Sequence, residues 1–260
     1  MRVTFLGTGS AMPTPDRAQT GLLVEADRPF LVDCGAGVLH RLAGTDVGYE
    51  GVGTVLLTHH HLDHASDLLA LLKARWLAGE EHLEVLGPRG TKALVDDLLN
   101  AFDYLEGRMD LRVREVTTDG FEVAGCEVAA TETRHSVDGL AYRFETDDAT
   151  LALSSDTEAF EGMAAFADGA DAFVHDCSFP DGVDVSNHPT PSSLGEVLAG
   201  HDYGRVYLSH LYPHTEGKHR EMLDSIGRHY DGEVRFARDG LTLRLGDDAG
   251  GDDEANGDEN

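Results

Sequence analysis

Short alternating apolar runs bounded by Gly, Pro and Asp open the chain, the period-two pattern that a half-buried strand requires. Strands are expected over Val3 to Leu6, Gly21 to Glu25, Phe30 to Val32 and Val55 to Leu57. The spacing then changes. In Ala65 to Leu77, residues Leu68, Leu69, Leu71, Leu72 and Trp76 share one helical face, and Thr91 to Phe102 repeats that spacing behind Gly87-Pro88.

Strand patterns return over Leu111 to Val116, Gly125 to Glu132, Gly139 to Phe144, Thr150 to Leu153, Ala172 to His175, Arg205 to Leu208, Glu233 to Phe236 and Leu241 to Leu245. Helical spacing fits between several of them, at Glu158 to Phe166, Ser192 to Ala199 behind two prolines, and Lys218 to Tyr230. An early meander followed by a strand–helix–strand rhythm predicts an α/β protein of mixed sheets covered by helices. With 260 residues, one domain over 1–246 is expected. The Gly/Asp/Glu/Asn-rich segment 247–260 reads as a disordered acidic tail.

Composition narrows the setting. No apolar run is long enough to cross a bilayer, and the opening Met1-Arg2-Val3-Thr4-Phe5-Leu6 reads as a strand, so a cytoplasmic protein is expected. The three cysteines, Cys34, Cys126 and Cys177, lack the paired spacing of a thiolate zinc site or disulfide framework. The formal charge is −28, and the seven acids of the last fourteen residues account for only part of it. Three lysines against seventeen arginines leave a surface of hydrated carboxylates, which suggests adaptation to high salt. Such a surface opposes polyanion binding at low salt and much less at molar salt.

The chemistry is concentrated in Thr58-His59-His60-His61-Leu62-Asp63-His64, directly after an apolar strand and before a helix. In an extended segment residues two apart point the same way, so His59 and His61 can face one ion while His60 turns aside. Asp63 and His64 then face a second. Imidazole and carboxylate donors suit Zn²⁺, with Mn²⁺ or Fe²⁺ as alternatives. Further donors stand at strand ends: His135, Asp156 and His210.

This pattern resembles the metallo-β-lactamase superfamily, whose His-x-His-x-Asp-His signature is met by His59, His61, Asp63 and His64. Phe5-Leu6-Gly7-Thr8-Gly9-Ser10, Leu31-Val32-Asp33-Cys34-Gly35 and Ser154-Ser155-Asp156-Thr157 are similar to the ribonuclease Z-like branch. The resemblance implies a four-layer αββα sandwich and two metal ions. His59, His61 and His135 would hold one, Asp63, His64 and His210 the other, with Asp156 bridging. It also implies attack on phosphorus by a metal-bridging hydroxide, with Asp63 orienting or deprotonating the nucleophile. His188, in Asn187-His188-Pro189-Thr190, stands where the branch has a proton donor to the leaving oxygen; the alternative is a cap on the following helix. His175 matches a position expected to support the ligands by hydrogen bonding, and His214 is a weaker candidate near the cleft.

Two departures bear on substrate. Ala18 stands after Arg17 where tRNA-processing members usually have Asn, and no long Gly/Pro- and Lys/Arg-rich insertion lies between Gly87 and His135, where they carry a tRNA-clamping arm. The expected function is therefore a dinuclear metal-dependent phosphodiesterase for small or single-stranded phosphodiesters, RNA ends included. The Gly7–Ser10 loop would offer N–H groups to a phosphate. The alternatives are a tRNA 3′-processing endoribonuclease, with arginines such as Arg17, Arg75 and Arg134, or a partner subunit, replacing the arm, and a catalytically silent metal-binding regulator. A homodimer is expected from the resemblance, with Ala65 to Leu77 as a candidate face.

Overall fold

The computed structural model describes residues 1–183 and 185–246 and the backbone of 254–255. The first half runs β1 (Arg2–Gly7), β2 (Gly21–Glu25), β3 (Pro29–Val32), α1 (Val38–Leu42), β4 (Thr54–Leu56), α2 (Leu62–Ala65), α3 (Leu68–Ala78), β5 (His82–Gly87), α4 (Thr91–Ala101) and β6 (Asp110–Glu115). The second half runs β7 (Phe121–Val123), β8 (Cys126–Glu132), β9 (Leu140–Glu145), β10 (Thr150–Leu153), α5 (Glu161–Ala167), β11 (Ala172–Asp176), α6 (Pro191–Leu198) and β12 (Val206–Ser209). It closes with α7 (His219–Ile226), β13 (Val234–Phe236), β14 (Leu241–Arg244) and β15 (Glu254–Ala255).

Among the described residues two sheets form, in the orders β15-β14-β1-β2-β3-β4-β5-β6 and β13-β12-β11-β10-β9-β8-β7. Each is antiparallel at one end and parallel at the other. β3 to β6 run parallel in the first sheet and β10 to β13 in the second. The chain returns to the first sheet through β14, which pairs antiparallel with β1 in the register Val3↔Leu243.

Three buried apolar clusters define four layers. Phe5, Phe30, Tyr142, Phe144, Val174 and Tyr207 pack between the sheets, with Phe30 and Phe144 ring centroids 5.5 Å apart. Val38, Leu42, Leu68, Leu71, Leu72 and Val95 cover the outer face of the first sheet. Met163, Leu194, Leu198, Met222 and Ile226 cover that of the second against Phe173 and Leu208. Each such side chain stabilises the fold by about 1.5–3 kcal/mol when removed from water. The architecture is the expected αββα sandwich.

The helix expected over Ala65 to Leu77 is broken into α2 and α3 at Ser66-Asp67. The Asp67 carboxylate instead accepts the N–H groups of Gly37 and Leu39 at 2.9 and 3.0 Å, where α1 begins. The α3 face is nevertheless as read: Leu68, Leu71 and Leu72 are buried, and Leu69 and Trp76 half-buried. α1, β5 and β7 had no sequence expectation: α1 is too short to show a helical period, β5 opens on the polar His82, and β7 spans only Phe121–Val123. Segment 247–260 lies outside the described residues apart from Glu254–Ala255, which pair with Thr242 and Leu241 as a short edge strand where disorder was expected. Among the described residues no helix is long and apolar enough to cross a membrane.

Candidate metal centre

The parallel strands β4, β10 and β12 release the chain at one end of the sandwich, and the donor residues follow those exits. His59 comes three residues after β4, Asp156 three after β10, and His210 directly after β12; His135 lies on the β8–β9 loop. Four non-glycine residues here adopt left-handed backbone: Asp33 (φ 62°), Ser155 (φ 57°), Asn187 (φ 68°) and His210 (φ 57°). Each such conformation costs on the order of 1–3 kcal/mol and persists only where the surroundings hold it. Here it turns Asp156 and His210 into the gap between the sheets.

All seven expected donors converge. One donor atom each from His59, His61, His135 and Asp156 lies within 4.8 Å of the others, as do those of Asp63, His64 and His210. His61 Nδ1 is 3.1 Å from both His59 Nε2 and His135 Nε2. His210 Nε2 is 3.1 Å from Asp156 Oδ2 and 3.2 Å from Asp63 Oδ2, and His64 Nε2 is 3.4 Å from Asp156 Oδ1. Tetrahedral bonds of about 2.0–2.1 Å imply donor–donor edges of about 3.3 Å, so these spacings match ligand edges around cations.

Proton bookkeeping gives an independent test of fit. The Thr58 hydroxyl donates to Asp33 Oδ2, so the 3.0 Å contact with His59 Nδ1 requires that nitrogen to carry its own hydrogen. His64 Nδ1 donates to Asp33 Oδ2 at 2.8 Å, and His135 Nδ1 to the Asn187 carbonyl at 3.1 Å. Ser178 Oγ donates to Asp176 or to the His210 carbonyl and therefore accepts from His210 Nδ1 at 2.9 Å. In these contacts each of the four rings carries a hydrogen on Nδ1 and turns its Nε2 toward the centre. The buried His64 Nε2 has no hydrogen-bond partner. This tautomer set is the one that metal-ligating imidazoles adopt, so the residues fit divalent cations.

Charge points the same way. Burial, then His64, keep His59 neutral, and burial with His135 lowers His61. Against the cost of burial, Asp156 and Asp33 together push His64 well above the ordinary imidazole value. Burial is likewise outweighed at Asp156, which His210 and His64 hold well below the usual carboxylate range. The centre gathers negative charge that a proton, or a metal cation in its place, must balance.

His188 joins the site from the β11–α6 loop. Its Nδ1 lies 2.6 Å from Asp176 Oδ2, and its ring stacks on His210 with centroids 5.4 Å apart. It does not cap α6; Thr190 does, accepting from the Ser193 N–H in a capping box with Pro191. Asp176 raises the His188 pKa against the opposing effect of burial. Tyr212 lines the same cleft, and burial pushes its phenol up to about 12, so it stays protonated.

Three supporting residues had no assigned role in the sequence: Asp33, Asp176 and Ser178. Alternation along β11 carries the signal for one of them. Ala172 and Val174 face the inter-sheet core and Phe173 the helix side, so Asp176 follows Val174 toward the site while His175 follows Phe173 away from it. His175, expected to support the ligands, instead bonds the Asp176 carbonyl at 2.7 Å and packs edge-on to Phe173. His214 is exposed against Phe179, outside the donor cluster.

Other expectations are also corrected. In the Gly7–Ser10 loop, the Thr8 N–H donates to Asp239 and the Gly9 N–H to the Ala18 carbonyl, so these groups brace the chain and are not free for phosphate. Arg75 is buried and donates to the carbonyls of Tyr49, Glu50 and His82, so it cannot replace an RNA-binding arm. Arg17 is likewise engaged with Thr8 and the Ala237 carbonyl. Arg134 is exposed over the Phe160 ring, 4.1 Å from its centroid.

The beta-lactamase superfamily domain model matches residues 28–211, and the chain belongs to the metallo-β-lactamase superfamily. Its fold and family make it a metal-dependent hydrolase. Among its relatives is the ribonuclease Z of Mycobacterium bovis (strain BCG / Pasteur 1173P2), 36% identical over 193 residues that cover 65% of this chain and 68% of that protein. Two solved structures share the fold. The metallo-β-lactamase fold protein YhfI from Bacillus subtilis has TM-score 0.80 at 24% identity, covering 93% of this chain and 98% of that one. The short form of human tRNase Z has TM-score 0.75 at 19% identity, covering 94% and 99%.

Proposed function

We propose that this chain is a dinuclear phosphodiesterase acting on small or single-stranded phosphodiesters. The observation that carries the reading is the convergence of the donor atoms of His59, His61, His135 and Asp156 and of Asp63, His64 and His210 beside His188, whose Nδ1 rests on Asp176. We assign His59, His61 and His135 to one cation, Asp63, His64 and His210 to the other, and Asp156 to both, with Zn²⁺ as the ion. When bound, these ions supply an acidified water and positive charge against the phosphoryl oxygens.

The side chains do the rest. Asp63, 3.2 Å from His210 Nε2 at the cleft, is placed to orient the attacking water or accept its proton. With Nδ1 on Asp176, a protonated His188 presents Nε2–H to the leaving oxygen. The neutral Tyr212 hydroxyl offers a further donor along the cleft wall. The small-substrate reading is supported by segment 88–134, which folds back as α4, a short 3₁₀ turn and β6 to β8. With the acidic surface, this leaves few cations for the body of a tRNA.

A second reading, tRNA 3′-end processing, is favoured by relatives named ribonuclease Z at 36–38% identity. Hydrolysis of bis-p-nitrophenyl phosphate and of precursor tRNA, in molar KCl with Zn²⁺ or Mn²⁺, separates the two. Cleavage of the small diester alone supports the first reading and accurate trimming of the precursor the second. No metal-dependent cleavage by wild type, or equal cleavage by Asp63→Ala, overturns both.

A further inference from the structure

Beside the catalytic cleft lies a second cavity of about 430 Å³, between α2–α3 and α4. Leu69, Leu94, Leu98, Phe102 and Tyr104 give it apolar walls. Leu62 lines both spaces, stands between the donors His61 and Asp63, and is 78% exposed. The two spaces thus share Leu62 as a common wall residue. Phe102 and Tyr104 are also left exposed to water, the condition in which an apolar surface marks a binding site.

The polar groups of the groove are few and specific. His60, turned away from the donors as its position in the motif requires, contacts Thr91 Oγ1 at 2.8 Å. Thr91 donates its own hydrogen to the Pro88 carbonyl at 2.7 Å, so His60 Nε2 is the donor in its contact with Thr91. At the rim, the exposed Lys73 ammonium lies 5.1 Å from the Tyr104 ring centroid and has no carboxylate partner among the described residues. In a chain of net charge −28, an apolar groove with a lysine at its rim is complementary to an anionic aromatic ligand.

We propose that this groove seats the nucleobase of a nucleotide whose phosphodiester lies at the metal centre. The inference rests on the phosphodiesterase reading and adds the substrate class. The base ring packs among Leu69, Leu98, Phe102 and Tyr104, its edge meets His60, and Lys73 faces an adjoining phosphate. The volume lies within the roughly 300–1,000 Å³ of small-ligand sites. Contacts made there, away from the reacting phosphorus, hold the diester in line for attack.

The test is calorimetric binding of adenosine 5′-monophosphate and of ribose 5-phosphate, which differ only in the base, to the Zn²⁺-loaded protein. Wild type should bind the nucleotide roughly tenfold more tightly, the lower part of what one stacked base contributes. Tyr104→Ala and the groove-filling Ala70→Phe should abolish that preference and leave ribose 5-phosphate binding unchanged. Equal affinities in wild type overturn the proposal, as does a preference that survives both variants. A halved mass by light scattering in Ala70→Phe, with the preference retained, assigns the groove to a second copy of the chain and also overturns it. Turnover of bis-p-nitrophenyl phosphate on the same samples reports the hydrolase reading separately, because base-dependent binding without turnover contradicts that reading and not the groove.

Discussion

His188 Nδ1 stands 2.6 Å from Asp176 Oδ2, and that carboxylate also takes the Ser178 hydroxyl, which in turn accepts from the ligand-position His210. One buried acid thus positions both His188, the proposed proton donor, and the imidazole of His210. His188→Ala should lower kcat by about 10²–10⁴ with little change in KM. A substitution that leaves kcat intact assigns the residue to loop packing alone.

Asp176 also sets the sign of a pH effect. It raises the His188 pKa, so the protonated, donating form survives to higher pH than an ordinary imidazole allows. In Asp176→Asn the basic limb of the kcat profile should move to lower pH, and in His188→Ala that limb should disappear. An unmoved limb in both variants would show that another group gives the proton.

Asp33 holds His64 Nδ1, the Thr58 N–H and the Thr58 hydroxyl, each at 2.8 Å. Asp33→Asn keeps the size and tolerates the left-handed backbone but loses one acceptor for the imidazole N–H. Zn²⁺ affinity should fall about 10–100-fold with the fold retained. Competition against a chromophoric chelator measures it, and unchanged affinity contradicts the role.

Filling the centre should stabilise the chain, because the folded state alone assembles the donors. At a free Zn²⁺ concentration about 100-fold above Kd the gain is about 2.7 kcal/mol, or about 5–10 °C in Tm for a chain of this size. Calorimetry before and after chelation checks this; a Tm indifferent to metal counts against the assignment.

The surface charge makes a different thermal prediction. Raising KCl from 0.1 to 1 M shortens the Debye length from ~10 to ~3 Å, which screens the mutual repulsion of a chain at −28. Tm should rise with KCl, and a protein equally stable after dialysis into dilute buffer contradicts a salt-adapted surface.

The parts of the site legible in the sequence were those in which chemistry and local spacing coincide. His59, His61, Asp63 and His64 share one strand exit, and His135, Asp156 and His210 each stand beyond the end of an expected strand, so seven polar residues stand where solvent alone explains them poorly. Asp33 and Asp176 were not legible as partners, because their significance lies in contacts 31 and 12 residues away along the chain. Alternation in β11 distinguishes Asp176 from His175, but the apolar pattern that marks the strand ends at His175, one residue short of its observed end. The break between α2 and α3 escaped for a similar reason: Asp67 leaves the helical pattern to bond the start of α1, an element too short to show a period of its own.

Metal stoichiometry tests the central claim most directly. Plasma emission analysis of protein equilibrated with Zn²⁺ and freed of excess should give two ions per chain in wild type and fewer in His210→Ala. One ion or none in the wild type would contradict the dinuclear centre and the chemistry built on it.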